Sequence, residues 1–209
     1  MNRLPGIFAG VLLAFASAWL GLVAYPYLAL GHMQPVPDED TGEYFPPASP
    51  GLAVAGQRVY ASNGCLYCHS QQVRPAPLST DIEKGLGRRR TVPRDYLRAQ
   101  PVFLGTMRTG PDLTNTGTRQ PDANWHHRHL YDPRPVTDWS IMPSFRFLYK
   151  MRQIQGQPSD DAIQGLTGPM APPAGWEVVP TDEAKALVAY LVSLKRNYPL
   201  PESPMPPAK

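Results

Sequence analysis

Cysteine is nearly absent from this chain: only two occur in 209 residues. That excludes a disulfide framework, and the lack of further cysteines excludes a multi-cysteine zinc site. Charge is missing from one long stretch, since no Asp, Glu, Lys or Arg lies between Arg3 and Asp38. The overall net charge of +3 is too slight to imply a nucleic-acid partner. Long regular patterns are scarce as well. The 26 prolines and 17 glycines are spread throughout and argue against long uninterrupted helices or a large sheet. The length allows one or two domains.

What the chain does have is concentrated. Both cysteines fall in Gly64-Cys65-Leu66-Tyr67-Cys68-His69-Ser70-Gln71, spaced C-x-x-C and followed at once by histidine. That is the pattern of covalent c-type haem attachment. Residues three apart share one face of a helical turn, so both sulfurs can meet the two vinyl groups along one haem edge. His69 then lies within reach of the iron as proximal ligand. A thioredoxin-like redox pair is the competing reading, but no βαβ context surrounds the motif. One haem c is therefore expected. Such attachment takes place outside the bacterial plasma membrane, so the haem domain has to be exported.

The uncharged stretch supplies the location. Residues 4–30 form a helix of about 40 Å, enough to cross a hydrocarbon core of about 30 Å with some tilt. Twelve of these residues are Leu, Ile, Phe or Val, worth about −4 to −7 kcal/mol of insertion free energy as an upper bound. The run exceeds the apolar region of a cleaved signal peptide, about 7–15 residues, so an uncleaved anchor is expected over 1–31. Arg3 on the short side predicts a cytoplasmic N-terminus, with Trp19, Tyr25 and Tyr27 toward the opposite interface. Gly6, Gly10, Ala14 and Ala18 recur every four residues, a stripe suited to close packing on another membrane helix.

The remainder divides into a Pro-rich linker (32–50), a haem domain (51–198) and a tail (199–209) expected to be loosely ordered. The linker reads as an extended spacer. Five arginines between Arg88 and Arg98 read as a solvated basic loop, with docking to a subunit or anionic lipid as the alternative. A helix is predicted from Leu52 to Ser62. A second is predicted from Thr181 to Asn197, with Thr181 as N-cap, Asp182 and Glu183 in the first turn, and Leu187, Tyr190, Leu191 and Leu194 on one face. A first helix offering Gly56 to a last helix bearing Tyr190 resembles the crossing of the class I cytochrome c fold. The expected fold is mainly α: one transmembrane helix plus a class I cytochrome c-like domain with long loops.

Thr109-Gly110-Pro111-Asp112-Leu113 resembles the cytochrome c loop in which a proline carbonyl, here Pro111, accepts the proximal histidine's Nδ1–H and fixes the ring. For the sixth ligand, Met142 in Ser140-Ile141-Met142-Pro143 is favoured because a thioether raises the potential of an electron carrier. Met170 and Met107 are rivals, and His126, His127 and His129 offer a bis-histidine alternative, although histidines beside Trp125 more often lie on the surface. Arg74 and Arg108 are candidate partners for the haem propionates, since guanidinium pairs with carboxylate bidentately.

Taken in order, the motif with Val73-Arg74-Pro75, then Arg108-Thr109-Gly110-Pro111-Asp112-Leu113, Trp125-His126, His129-Leu130, Pro133-Arg134-Pro135-Val136 and Ser140-Ile141-Met142-Pro143 resemble the mono-haem cytochrome c subunit (subunit II) of cbb3-type cytochrome c oxidases. The resemblance runs from about Gly56 to Leu148, with a weaker echo in the C-terminal helix. It implies Met142 as distal ligand and an anchor packed on an integral-membrane catalytic subunit. It also implies electron relay from a soluble cytochrome c or a dihaem subunit, single-pass in the bacterial inner membrane with the haem domain periplasmic, and no catalytic site of its own. The cytochrome subunits of a nitric oxide reductase or a periplasmic dehydrogenase are the alternatives, with a haem-based ligand sensor as a reading from another class. Lys84-Gly85-Leu86-Gly87-Arg88-Arg89-Arg90 departs from the more aromatic segment that the family carries there, and 156–179 is rich in Pro and Gly in its own way.

Overall fold

The computed structural model describes residues 3–39 and 41–206. The uncharged stretch forms one continuous helical rod, Leu4–Leu30, the one helix among the described residues long and apolar enough to cross a membrane. It comprises α1 (Leu4–Trp19), a π-helical turn (Leu20–Ala24) and α2 (Tyr25–Leu30). Tyr25 N–H reaches back to the Leu20 carbonyl. That wider turn immediately precedes Pro26, which has no N–H to continue the ordinary ladder. No residue of α1 or α2 is buried by the rest of the chain.

The domain that follows is built on two helices. α3 (Gly51–Ser62) crosses α6 (Asp182–Ser193), and the crossing is as close as a missing side chain allows: a Cβ on Gly56 would lie 1.8 Å from the Ala186 carbonyl oxygen and 2.8 Å from Tyr190 Cβ. Thr181 caps α6, its hydroxyl accepting from Ala184 N–H at 3.3 Å. Leu187, Tyr190 and Leu191 turn into the core as their spacing predicts. The helix stops at Ser193, four residues short of the expected end. Leu194 leaves the helical conformation with its carbonyl accepting from Gly117 N–H, and Arg196 N–H donates to Asn115 Oδ1 at 2.7 Å. Tertiary hydrogen bonds thus outcompete one more helical turn.

Between them lie α4 (Thr116–Arg119) and α5 (Ala123–Tyr131). Asp122 caps α5 by accepting from Asn124 and Trp125 N–H. α5 buries Leu130 and Tyr131, and with them His126. A two-stranded antiparallel sheet, β3 (Tyr149–Gln153) with β4 (Trp176–Pro180), pairs Tyr149 with Pro180 and Gln153 with Trp176. It closes off the irregular stretch between its strands and delivers the chain to α6.

Two expectations need correcting. The linker is not simply an extended spacer: β1 (Val36–Pro37) pairs with β2 (Tyr44–Phe45), and Val36 and Phe45 pack on a small cluster of Val92, Tyr198 and Leu200. The tail is held as well, with Leu200 and Ser203 buried; only 207–209 lie outside the described residues. The arginine run explains both. Arg89 is buried, pairs with Asp95 at 2.8 Å and donates to the Tyr198 carbonyl at 2.7 Å, so the run is solvated only in part: Arg88, Arg90 and Arg98 are exposed, Arg89 is not.

Candidate functional site

α3 ends at Ser62, and Gly64 (φ +70°) takes a left-handed conformation that turns the chain into a single 3-10 turn, Cys65–Tyr67. Cys68 and His69 N–H both donate to the Cys65 carbonyl, at 3.2 and 3.0 Å. The motif is therefore wound into one tight turn. Both thiols are free, with Cys68 exposed and Cys65 partly covered. Burial pushes the Cys65 thiol up to about 11, so it is protonated at neutral pH.

The segment after His69 runs alongside the Thr109–Leu113 loop, held by Gly110 N–H to the Cys68 carbonyl (2.9 Å) and Leu113 N–H to the Ser70 carbonyl (2.8 Å). That pairing sets His69 Nδ1 2.7 Å from the Pro111 carbonyl. Gly110 is needed here because a Cβ would lie 2.2 Å from His69 Cε1. Burial holds the imidazole below its usual proton affinity, against the opposing effect of the Pro111 bond. The ring is thus neutral near pH 7, with Nδ1–H engaged and the Nε2 lone pair left for a metal.

Charged side chains brace this loop, and sequence reasoning missed two of them. Asp112 is fully buried and accepts from Ser70 Oγ (2.7 Å), Gln72 N–H (2.7 Å) and Thr114 N–H (2.8 Å). Asp81, also buried, takes both terminal nitrogens of Arg108 and the Arg74 N–H. Arg108 further donates to Ser70 Oγ and the Gln72 carbonyl. Its guanidinium is spent on the protein, which corrects the expectation that it partners a propionate. Arg74 is half-buried, and its guanidinium has no protein partner among the described residues.

The rival ligands separate by their surroundings. Met142 is half-buried against the main core cluster, its N–H fixed by Ser140 Oγ at 3.2 Å. Met170 packs on the same cluster, but Arg146 Nη2 sits 2.5 Å from its sulfur. Met107 is 58% exposed. His126 Nε2 bonds to the Gln120 carbonyl (2.8 Å) and His127 Nδ1 to Tyr149 Oη (3.2 Å). None of the three histidines is a plain surface group, because α5 packs inward. His129 stacks on Trp125 at 4.9 Å.

A haem also has to be accommodated by whatever polar groups the fold leaves over. Among the described residues, Arg119 Nε and His129 Nδ1 are buried without a partner; the Arg119 charge helps to lower the proton affinity of His69, and His129 is itself coupled to His69. An unpaired guanidinium N–H next to the candidate ligand suits a group that brings its own carboxylates. Arg119 carries no sequence signal beyond its place eight residues after Pro111.

Residues 39–165 match the family model described as cytochrome C oxidase, mono-heme subunit/FixO. The chain belongs to this family. It is a mono-haem cytochrome c subunit of a cbb3-type oxidase, a family that works in complex with a catalytic oxidase subunit. No curated protein matches the chain. The match covers the motif, the Gly110-Pro111 loop, α5 and Met142, and stops before β4, α6 and the tail.

Proposed function

We propose that this chain is a closed electron relay. Cys65 and Cys68 would carry one haem c through thioether bonds, His69 Nε2 and Met142 Sδ would ligate its iron, and Arg74, Arg119 and His129 would be the groups available to its propionates. The haem supplies one-electron chemistry, and the protein supplies its position and electronics. Pro111 makes His69 a more basic and oriented ligand, and the Asp112–Arg108–Asp81 network holds that loop in place. The Leu4–Leu30 helix anchors the chain in the bacterial inner membrane with its N-terminus cytoplasmic. The haem domain is then periplasmic, receiving electrons from a soluble cytochrome or a dihaem subunit and passing them to the catalytic subunit.

The observation that carries this reading is the 2.7 Å bond from His69 to Pro111 across Gly110, in a domain whose family is mono-haem. Purification in mild detergent, with haem staining and mass spectrometry of the bound subunits, tests it: a haem-stained band of this mass should travel with an oxidase catalytic subunit. Met142→Ala should abolish the sulfur-to-iron absorption band while haem stays attached. If the reduced wild-type protein binds carbon monoxide fully at neutral pH, the sixth site is open and the relay reading gives way to a ligand sensor.

A further inference from the structure

The arginine run, the linker and the tail converge on one place. Arg94 lies in the 3-10 turn Pro93–Tyr96. Its Nε and Nη2 grip the Glu202 carboxylate at 2.5 to 3.1 Å, and its Nη1 donates to the Gln34 carbonyl. One side chain therefore ties the tail and the membrane-proximal linker to the same turn of the domain. The apolar contacts repeat the connection, with Phe45 of the linker stacked on Tyr198 at 4.5 Å and Arg89 lying over the Tyr198 ring.

The consequence is geometric. As an open tether, the 20 residues between α2 and α3 could span up to about 70 Å. Tied at Gln34, the free path from Leu30 shrinks to three intervening residues, a reach of about 14 Å. Electron transfer falls steeply with distance, so a relay on the long tether would spend most of its time out of range.

We propose that Arg94 and Glu202 are positioning residues, a clasp that fixes the haem domain against its membrane anchor so that the haem stays within transfer range of the catalytic subunit. The clasp rests on the relay reading for its purpose but not for its existence. Glu202 lies outside the stretch that matches the family.

The test uses the full-length haem-loaded chain in detergent for the clasp and the purified oxidase complex for transfer. Endoproteinase cutting after Glu39 or Glu43 separates anchor from haem-stained domain. Glu202→Arg should speed that release by about tenfold or more, Glu202→Gln less, and Phe45→Ala should do so from the linker side, because Glu39 and Glu43 are exposed and the cut fragments part only when the clasp opens. In the complex, the same variants should slow reoxidation of this haem by oxygen while its midpoint potential and sulfur-to-iron band stay unchanged. Equal release from wild type, Glu202→Arg and Phe45→Ala overturns the clasp. Loss of haem or a shifted potential in both Glu202→Arg and Phe45→Ala also overturns it, since the residues would then support the haem pocket. Faster release with unchanged reoxidation overturns the positioning role alone. A wild-type haem that oxygen never reoxidises defeats the relay reading and leaves the proteolysis result to decide the clasp.

Discussion

The two ends of the haem domain are stabilised by different means. Around the haem motif, α3, α5, α6 and the start of β3 contribute a continuous apolar cluster, from Ala53 and Tyr60 through Leu130 and Leu148 to Leu187 and Leu194. Around the linker and tail the buried apolar cluster, among the described residues, is only Val92, Tyr198 and Leu200. Three such side chains supply about 1.5–3 kcal/mol each, while ordering irregular backbone costs about 1–2 kcal/mol per residue. Apolar burial alone cannot hold this end. Arginine fills the gap for a specific reason: proline-rich chain has carbonyls to satisfy and few N–H groups to pair them. Arg88, Arg89, Arg90 and Arg94 donate to the carbonyls of Pro206, Tyr198, Glu202 and Gln34. Where the chain cannot form a ladder with itself, guanidinium groups replace the ladder.

The comparison can be broken at either end. The largest effect belongs to the haem end: Cys65→Ser with Cys68→Ser should remove all peroxidase-stainable haem, and persistent staining would refute covalent attachment. Next comes Asp95→Ala at the linker end. Arg89 and Asp95 are almost entirely shielded from solvent, so deleting the carboxylate strands a buried cation and should cost about 3–5 kcal/mol. Urea unfolding would register the loss while haem staining persists. A loss under 1 kcal/mol would mean that charge does not hold this end. A smaller effect is expected at the helix crossing, where Gly56→Ala forces a methyl group into the Ala186 carbonyl. About 3 kcal/mol is expected there, read as a lowered unfolding midpoint with the Glu39/Glu43 cleavage pattern unchanged.

How much of this was legible in the sequence follows the same division. The haem motif, the Gly110-Pro111 loop and the Gly56–Tyr190 crossing could be read because their chemistry lies within a few adjacent residues or in a helical period. The linker end could not, because its partners are far apart in sequence: Arg94 meets Glu202 across 108 positions and Gln34 across 60. No local pattern distinguishes an arginine that will find a distant carbonyl from one that faces water. Arg108 misled for the converse reason. Its place beside the haem loop suggested a propionate, whereas Asp81, a carboxylate 27 residues earlier, claims the guanidinium first. The histidines of α5 read as surface groups because the helix itself, short and capped by Asp122, was not anticipated.

That Arg108–Asp81 pair gives the subtlest contrast between the two ends, a pH dependence localised to the haem loop. Burial by itself would raise Asp81, but hydrogen bonds from Arg108, Ser79 and the Arg74 N–H outweigh it and hold the carboxyl at about 2. An unfolded aspartate titrates near pH 4. With the folded value depressed, the stabilising contribution is fully present above about pH 4 and is lost as the pH falls toward about 2. Asp81→Asn should therefore lower the thermal midpoint at pH 6, and the gap to wild type should close progressively between pH 4 and pH 2. The His69–Pro111 bond depends on the loop that Asp81 helps to brace, so the same acid range should weaken the sulfur-to-iron band before the domain unfolds. A gap between the two proteins that stays undiminished at pH 2 would show that Asp81 acts through shape and not through its charge.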